Sequence, residues 1–135
     1  MLSFTSDYAL RAVLLLAQER TCRAIPADEI AFRTGAPRNY MAKTLGALAK
    51  VGVVSSTRGP QGGFSLSVPA TELTLATVID CFDEPRPQTR CMLGSTPCDA
   101  DNPCAAHDGW TAVKIACRTP LLTTTVGDLL ANRAI

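Results

Sequence analysis

Apolar positions in the first half of the chain follow helical periods. Ser3–Glu19 is apolar on almost every face of a helix, which predicts a buried central helix. Pro26–Arg33 is predicted as a short helix, since proline suits a first turn, and Thr34–Ala36 as a tight turn around a glycine. Pro37–Val51 is predicted as a longer helix whose buried stripe is Met41, Leu45 and Leu48. This succession of elements is typical of a helix-turn-helix.

The period then changes to that of strands. Val53–Thr57 is rich in β-branched residues and serine, and Phe64–Val68 alternates apolar residues with serine. The six residues between them, Arg58–Gly63, include three glycines and a proline, which neither strand could contain. They predict the tip of a hairpin. A helix-turn-helix followed at once by a hairpin is a winged helix.

The second half of the chain holds less regular patterns. Thr74 is a suitable N-cap for a helix that extends to about Phe82. Residues 83–103 contain prolines and charges with little periodicity, which predicts a long loop. Helical spacing resumes from about Ala105, and Val126–Leu130 is predicted as a short terminal helix. We therefore expect a mainly α-helical fold with a small β-hairpin wing.

Composition and charge narrow the class of protein. The chain has 135 residues, of which 47% are hydrophobic and 19% charged, as in one globular domain. The apolar run Val13–Ala17 is far shorter than the roughly 20 residues that span a bilayer. No secretory signal is visible, so we expect a cytoplasmic protein without a membrane partner. The net charge is only +1, but the charges are unevenly distributed along the chain. The middle segment, from Ile30 to Thr71, contains no acidic residue, whereas Asp80–Asp108 has an excess of acidic residues. The basic segment coincides with the winged helix and is the candidate for nucleic-acid contact.

The start of the second helix and the wing tip hold the candidate DNA contacts. A recognition helix reads the major groove with its N-terminal residues, where arginine pairs with guanine, asparagine with adenine, and lysine with guanine or phosphate. An arginine among glycines at the wing tip suits the minor groove. The candidates are Arg38, Asn39, Tyr40, Lys43, Arg58, Gly59 and Gln61. For Tyr40 a packing role is equally open, and for the whole fold the alternative is a winged helix that contacts only proteins.

The chain also contains six cysteines and one histidine. A disulfide framework is disfavoured, because no secretory signal is visible and enough apolar residues are present for a core. Gaps of six, five and two residues separate Cys91, Cys98, Cys104 and His107, and most of these are longer than in a zinc knuckle. This spacing alone leaves an iron–sulfur cluster, a thiol switch and a zinc site open. The other cysteines are predicted to be packed, unmodified thiols. They are Cys22, Cys81 and Cys117.

Taken together, these segments resemble the Rrf2 family of winged-helix transcription regulators, which includes the IscR and NsrR types. The most specific match is Ser56–Leu66, which resembles the family's wing motif R-G-x-x-G-G-[YF]-x-L. Four further segments resemble its first helix, its recognition helix, the region after the wing and its C-terminal signature. They are Tyr8–Ala12, Asn39–Lys43, Leu73–Ile79 and Thr125–Leu130. The resemblance covers nearly the whole chain.

The resemblance implies a homodimer and a [2Fe–2S] or [4Fe–4S] cluster. The long C-terminal dimerisation helix would cross to the partner, and the loop before it would hold the cluster. By position, Cys91, Cys98 and Cys104 match the family's three ligand cysteines, and His107 matches the histidine ligand of the IscR type. Asp7 matches the residue that reaches the cluster from the partner chain in some NsrR types, so it is the alternative fourth ligand.

The predicted organisation has three parts. Residues 1–82 form a winged helix-turn-helix DNA-binding domain, 83–104 a cluster loop, and 105–135 the dimerisation helix and C-terminal segment. Pro120 falls inside that helix, lacks an N–H and would clash with a preceding carbonyl, which predicts a kink or an early end.

The function expected is that of a dimeric repressor. It binds a double-stranded DNA operator with an affinity controlled by a cluster that senses redox state, nitric oxide or iron–sulfur status. The alternative is a cluster-free regulator of the same family, switched by thiol chemistry or by a bound partner. An electron-transfer or cluster-carrier protein is a third possibility. An enzyme is not expected, because the chain has one histidine and no glycine-rich phosphate loop.

Overall fold

The structure is a computed structural model that describes residues 2–19, 23–83 and 101–132. In this part of the chain six helices accompany one two-stranded sheet. The elements are α1 (Phe4–Gln18), α2 (Ala27–Thr34), α3 (Arg38–Lys50), β1 (Val54–Thr57), β2 (Gly63–Leu66), α4 (Leu75–Ile79), α5 (His107–Thr123) and α6 (Val126–Ala131). The expected mainly helical fold with a small hairpin wing is confirmed.

Helix α1 is the centre of the fold. It packs against α2, α3, α4, α6 and β2, and its side chains Ala9, Ala12 and Val13 are fully buried. Ser3 caps its start by accepting a hydrogen bond from the Ser6 N–H at 3.2 Å. The prediction of a buried central helix is confirmed.

Helices α2 and α3 form the predicted helix-turn-helix. Gly35 ends α2 in the left-handed conformation, with φ +73°, which costs glycine no steric strain. Pro37 precedes α3 in an extended conformation. The predicted stripe of Met41, Leu45 and Leu48 is fully buried, so the orientation of α3 is the one predicted from its apolar period.

The wing is an antiparallel hairpin held on both sides of its second strand. The register pairs Val54 with Leu66 and Thr57 with Gly63. On its other edge, β2 forms a bridge in which Phe64 exchanges two backbone hydrogen bonds with Ile25, at 2.9 and 2.8 Å. Both strands are slightly shorter than predicted, and Gly63, which was predicted in the hairpin tip, is the first residue of β2 because it pairs with Thr57.

Two predictions about the second half need correction. Helix α4 ends at Ile79 rather than near Phe82, because the N–H groups of Cys81 and Phe82 donate to the carbonyls three residues back, those of Val78 and Ile79, at 3.3 and 3.0 Å. This tightens the chain into a turn. Helix α5 continues past Pro120 to Thr123, so the early end considered at this proline is wrong. Pro120 lies in the last turn of α5, where its carbonyl still accepts from the Thr124 N–H at 2.9 Å.

The C-terminal segment returns to the centre of the fold. The Leu75 N–H donates to the Thr124 carbonyl at 3.0 Å, and the Val126 N–H donates to the Leu73 carbonyl at 2.8 Å. Val126 is fully buried, and Thr125 forms a capping box with Asp128 at the start of α6. Across the described residues, no helix is both long and apolar enough to cross a membrane.

Candidate functional site

The exposed side of α3 carries the polar residues that were predicted to read DNA. Arg38, Asn39 and Lys43 lie in its first two turns and are all exposed, and Asn39 and Lys43 lie on the side opposite the buried stripe. Asn39 and Lys43 are one helical turn apart. Neither of these two side chains has a hydrogen bond or ion pair with any residue that the structure describes. They are therefore available to a ligand.

Arg38 and Tyr40, in contrast, are engaged within the chain. The Arg38 Nε donates to the Oδ1 of Asp28 on α2 at 2.5 Å. The Tyr40 hydroxyl is hydrogen-bonded to the Thr5 hydroxyl on α1, and its ring meets Tyr8 edge-on with 5.8 Å between centroids. Tyr40 thus takes the packing role, and its phosphate contact stays a prediction. The sequence alone did not identify Asp28, because it lies ten positions away on another helix.

Glycines fix the backbone of the wing tip. The Gly62 N–H donates to the Gly59 carbonyl at 2.9 Å, which closes a tight turn. Gly59 has φ +107°, and a Cβ on Gly62 would lie 2.2 Å from the Thr57 carbonyl oxygen. This turn leaves Arg58 and Gln61 exposed, with no side-chain partner among the described residues. The glycine spacing of the wing motif is thus a requirement of the turn.

Two of the four predicted metal ligands fall in the described part of the chain. Cys104 lies three residues before His107, the first residue of α5, whose N–H donates to the Cys104 carbonyl at 3.1 Å, and both residues are half-buried. A thiolate and an imidazole one turn apart are ligand types that iron accepts, so these two residues fit a cluster. Cys91 and Cys98 lie outside the described residues. Within 2–19, 23–83 and 101–132, no group of three or more His, Cys, Asp or Glu could hold a metal ion.

The alternative ligand, Asp7, is held by an arginine of its own helix. Its two carboxylate oxygens accept from Arg11 Nη2 at 2.8 Å and from Arg11 Nε at 3.1 Å. Both side chains are about half exposed to solvent. Asp7 would have to leave this pair, at least in part, to bind a metal.

The other cysteines differ from one another. Cys81 is half-buried and its thiol donates to the Thr77 carbonyl at 3.2 Å, while burial and the charge of Asp80 raise its pKa. A raised pKa leaves little reactive thiolate, as predicted for an unmodified thiol. Cys117 is exposed on α5, so the prediction of a packed thiol is wrong for this residue in the single chain. Cys22 lies outside the described residues.

Two aspartates tie the end of the winged helix to its neighbours. Asp80 accepts two hydrogen bonds from the Arg118 guanidinium on α5, at 2.7 and 2.5 Å. Asp83 accepts from the Ser6 hydroxyl at 2.6 Å and from the Ser3 N–H at 3.1 Å, at the start of α1. Burial alone raises the pKa of Asp83, but these hydrogen bonds outweigh it and lower the pKa below its ordinary value. Sequence reasoning missed both anchors, because no local pattern marks partners 38 and 77 positions away.

Comparisons with known proteins agree with this architecture. The model of the Rrf2 family, described as iron-dependent transcriptional regulators, matches residues 2–132. IscR of Escherichia coli is 31% identical over 128 residues, which cover 95% of this chain and 78% of that protein. The solved structure of T. potens IscR is similar with a TM-score of 0.78 at 25% identity, over 98% of this chain and 88% of its own. The oxidized form of Staphylococcus aureus CymR is similar with a TM-score of 0.76 at 26% identity, over 96% and 94%.

These relatives are transcriptional regulators, not enzymes. The helix-turn-helix, the glycine-bearing wing and the family match over nearly the whole length point to one assignment. The chain belongs to the Rrf2 family of transcriptional regulators.

Proposed function

We propose that this regulator is a dimeric, sequence-specific DNA-binding repressor whose operator affinity is set by an iron–sulfur cluster. The observation that carries the DNA-binding part is the exposure of Asn39, Lys43 and Arg58 without side-chain partners in the described chain. Long polar side chains in that state lose no internal bond when they contact DNA. Regulators of this family bind DNA, and the proposal assigns that contact to these residues.

Each of the three residues has a separate role in the proposal. Asn39 pairs with an adenine edge in the major groove, Lys43 with guanine or phosphate, and Arg58 enters the minor groove. Asn39→Ala should therefore relax base preference at one operator position. Arg58→Ala should lower specific affinity. A binding-site selection that returns the same sequence for Asn39→Ala, or an unchanged operator affinity for Arg58→Ala in a salt titration, contradicts the assigned role.

The dimeric state is proposed from helix α5. None of its residues is buried in the single chain, and the apolar side chains Ile115 and Leu122, which are seven positions apart and share one face of the helix, are 60% and 52% exposed. Such exposure on one helix is typical of a surface that a partner covers. If a second copy of the chain packs against α5, the dimer presents two recognition helices, one for each half-site of a palindromic operator.

The cluster is proposed to be held by Cys91, Cys98, Cys104 and His107. Support comes from the backbone turn that brings Cys104 and His107 close together, and from the similarity to IscR. His107 is favoured over Asp7 as the fourth ligand because its backbone N–H is bonded to the Cys104 carbonyl, which places these two residues close together in one chain. When bound, the cluster would supply a centre whose charge and ligation change with oxidants or nitric oxide.

The anchors of Asp80 and Asp83 suggest how the loop is coupled to the DNA reader. They hold the residues just before the loop against α5 and against the start of α1. A change in the loop would shift α1 and α5 through these contacts. Because α1 packs directly on α2 and α3, the shift would reach the helix-turn-helix. The orientation of the recognition helices in a dimer would change with it.

Anaerobic purification tests the cluster directly. We expect a brown protein with about equal iron and sulfide, and we expect Cys98→Ser and Cys104→Ser to bleach it. Cys117→Ser is the matched control, since this exposed cysteine lies on α5 outside the proposed ligand set. A colourless wild type without iron, even after reconstitution, contradicts the cluster proposal.

A thiol switch is the second candidate, and the similarity to an oxidized form of Staphylococcus aureus CymR favours it. In that case Cys91, Cys98 and Cys104 respond to oxidants without iron. The two candidates differ in a simple measurement. A thiol switch gives a colourless protein whose DNA affinity changes reversibly with oxidant and reductant.

A further inference from the structure

An ion pair joins the two helices of the helix-turn-helix at its exposed edge. Asp28 lies in the first turn of α2, and Arg38 is the first residue of α3. The contact uses the Arg38 Nε and one oxygen of Asp28, and the two side chains are 75% and 58% exposed. An ion pair this open to solvent adds little to stability. Its position beside the predicted base-reading residues suggests another purpose.

We infer that Asp28 is a positioning residue for base readout by Arg38. The inference rests on the proposed DNA-binding function. A guanidinium has five N–H donors, and the contact with Asp28 occupies the one on Nε. No hydrogen bond joins Nη1 or Nη2 of Arg38 to a residue that the structure describes. These two nitrogens offer a pair of donors that can recognise guanine O6 and N7 in a bidentate contact.

The pair also affects how Arg38 contributes to binding. An arginine held in one orientation before binding loses less side-chain freedom when it meets a base. The Asp28 carboxylate in addition brings a negative charge to the edge that faces DNA, which opposes contacts with phosphates of any sequence. Asp28 therefore raises the preference of Arg38 for its base and lowers its general affinity for DNA.

A purely structural role for Asp28 makes a different prediction. An acidic residue in a first turn stabilises its helix through the helix dipole. Glu29 shares that turn, and it pairs with Arg23 and Arg33 instead of with the recognition helix, at 3.2 and 3.4 Å. Glu29→Gln is thus the matched control, because it removes one charge from the same turn without touching Arg38.

The experiment measures base preference with the full chain. A binding-site selection on the wild type gives the operator, and single-base variants identify the position that Arg38→Ala no longer distinguishes. Asp28→Asn should reduce discrimination at that position about tenfold, within the range of one bidentate pair. Its affinity for a scrambled duplex should stay equal or rise. Asp28→Glu should keep most of the discrimination, and Glu29→Gln all of it. In an Arg38→Ala background, Asp28→Asn should change nothing at that position.

The outcomes separate this inference from the proposed function. A wild type that selects no sequence overturns both. A wild type that selects an operator which Asp28→Asn distinguishes equally well overturns the role of Asp28 alone. Equal loss in Glu29→Gln, or the same loss without Arg38, also overturns it, because the effect would then come from helix stability or net charge.

Discussion

Gly63 is the residue at which the wing contacts the rest of the chain most closely. A Cβ at this position would lie 2.3 Å from the carbonyl carbon of Ile25 and 2.6 Å from the Pro26 nitrogen. Only glycine allows the backbone of β2 to approach so closely that Phe64 and Ile25 exchange two hydrogen bonds. The last glycine of the wing motif is thus required by packing, whereas Gly62 is required by the turn.

Gly63→Ala should therefore lower the free energy of unfolding by about 1–3 kcal/mol, because β2 must move away from Ile25 and the backbone hydrogen bonds between Phe64 and Ile25 are weakened or lost. Urea unfolding measures the change. Gly46→Ala is the control, since a Cβ in this α3 position meets nothing within 4 Å. It should stabilise the chain by up to about 1 kcal/mol. Equal effects of the two substitutions would contradict the account of the wing.

The contribution of Asp83 to stability should depend on pH. Its folded-state pKa is lowered, so its stabilisation is present above the pKa of unfolded aspartate, about 3.9, and is lost as the pH falls through the folded value. Asp83→Asn should cost about 1 kcal/mol at pH 7, and the difference from wild type should shrink below about pH 4. Thermal unfolding across this range measures it. Glu72→Gln removes an exposed carboxylate with no side-chain partner in the described chain, and should show no such trend.

At the scale of elements, local periodicity predicted most of the first 82 residues. The helical spacing of apolar residues from Ala27 to Lys50 and the glycine turn between the two helices predict a helix-turn-helix. Both features depend only on residues a few positions apart. Helix α4 was predicted too long, because its apolar period continues to Phe82 although the chain turns after Ile79. Pro120 was predicted to kink or end α5, yet the helix continues for three residues beyond it, to Thr123.

Helix α5 offers the clearest test at this scale. Ile115→Asp should convert the dimer to a monomer, because a charge at a covered apolar surface loses its hydration. Sedimentation velocity measures the change. Phe32→Asp is the matched control, since Phe32 on α2 is more exposed, at 88%, and should leave the dimer intact. An Ile115→Asp chain that stays dimeric would show that α5 does not form the interface.

At the scale of the whole molecule, the sequence and the structure contribute different parts of the account. The wing motif and four further segments indicated the family, and the match over residues 2–132 establishes it. The anchors that connect the loop to α1 and α5 were not predictable, because Asp80 and Asp83 find their partners only after the chain has folded. The same is true of the Asp28–Arg38 pair.

In the proposed function, the affinity of this chain for DNA depends on whether its cysteine loop holds the cluster. The most direct test is the operator affinity of one anaerobic preparation, measured by fluorescence anisotropy before and after its iron is removed. We expect the two affinities to differ by at least about fivefold, the lower end of typical coupling between sites, and Cys104→Ser to show no such difference. Equal affinities of the loaded and iron-free wild type would contradict the claim.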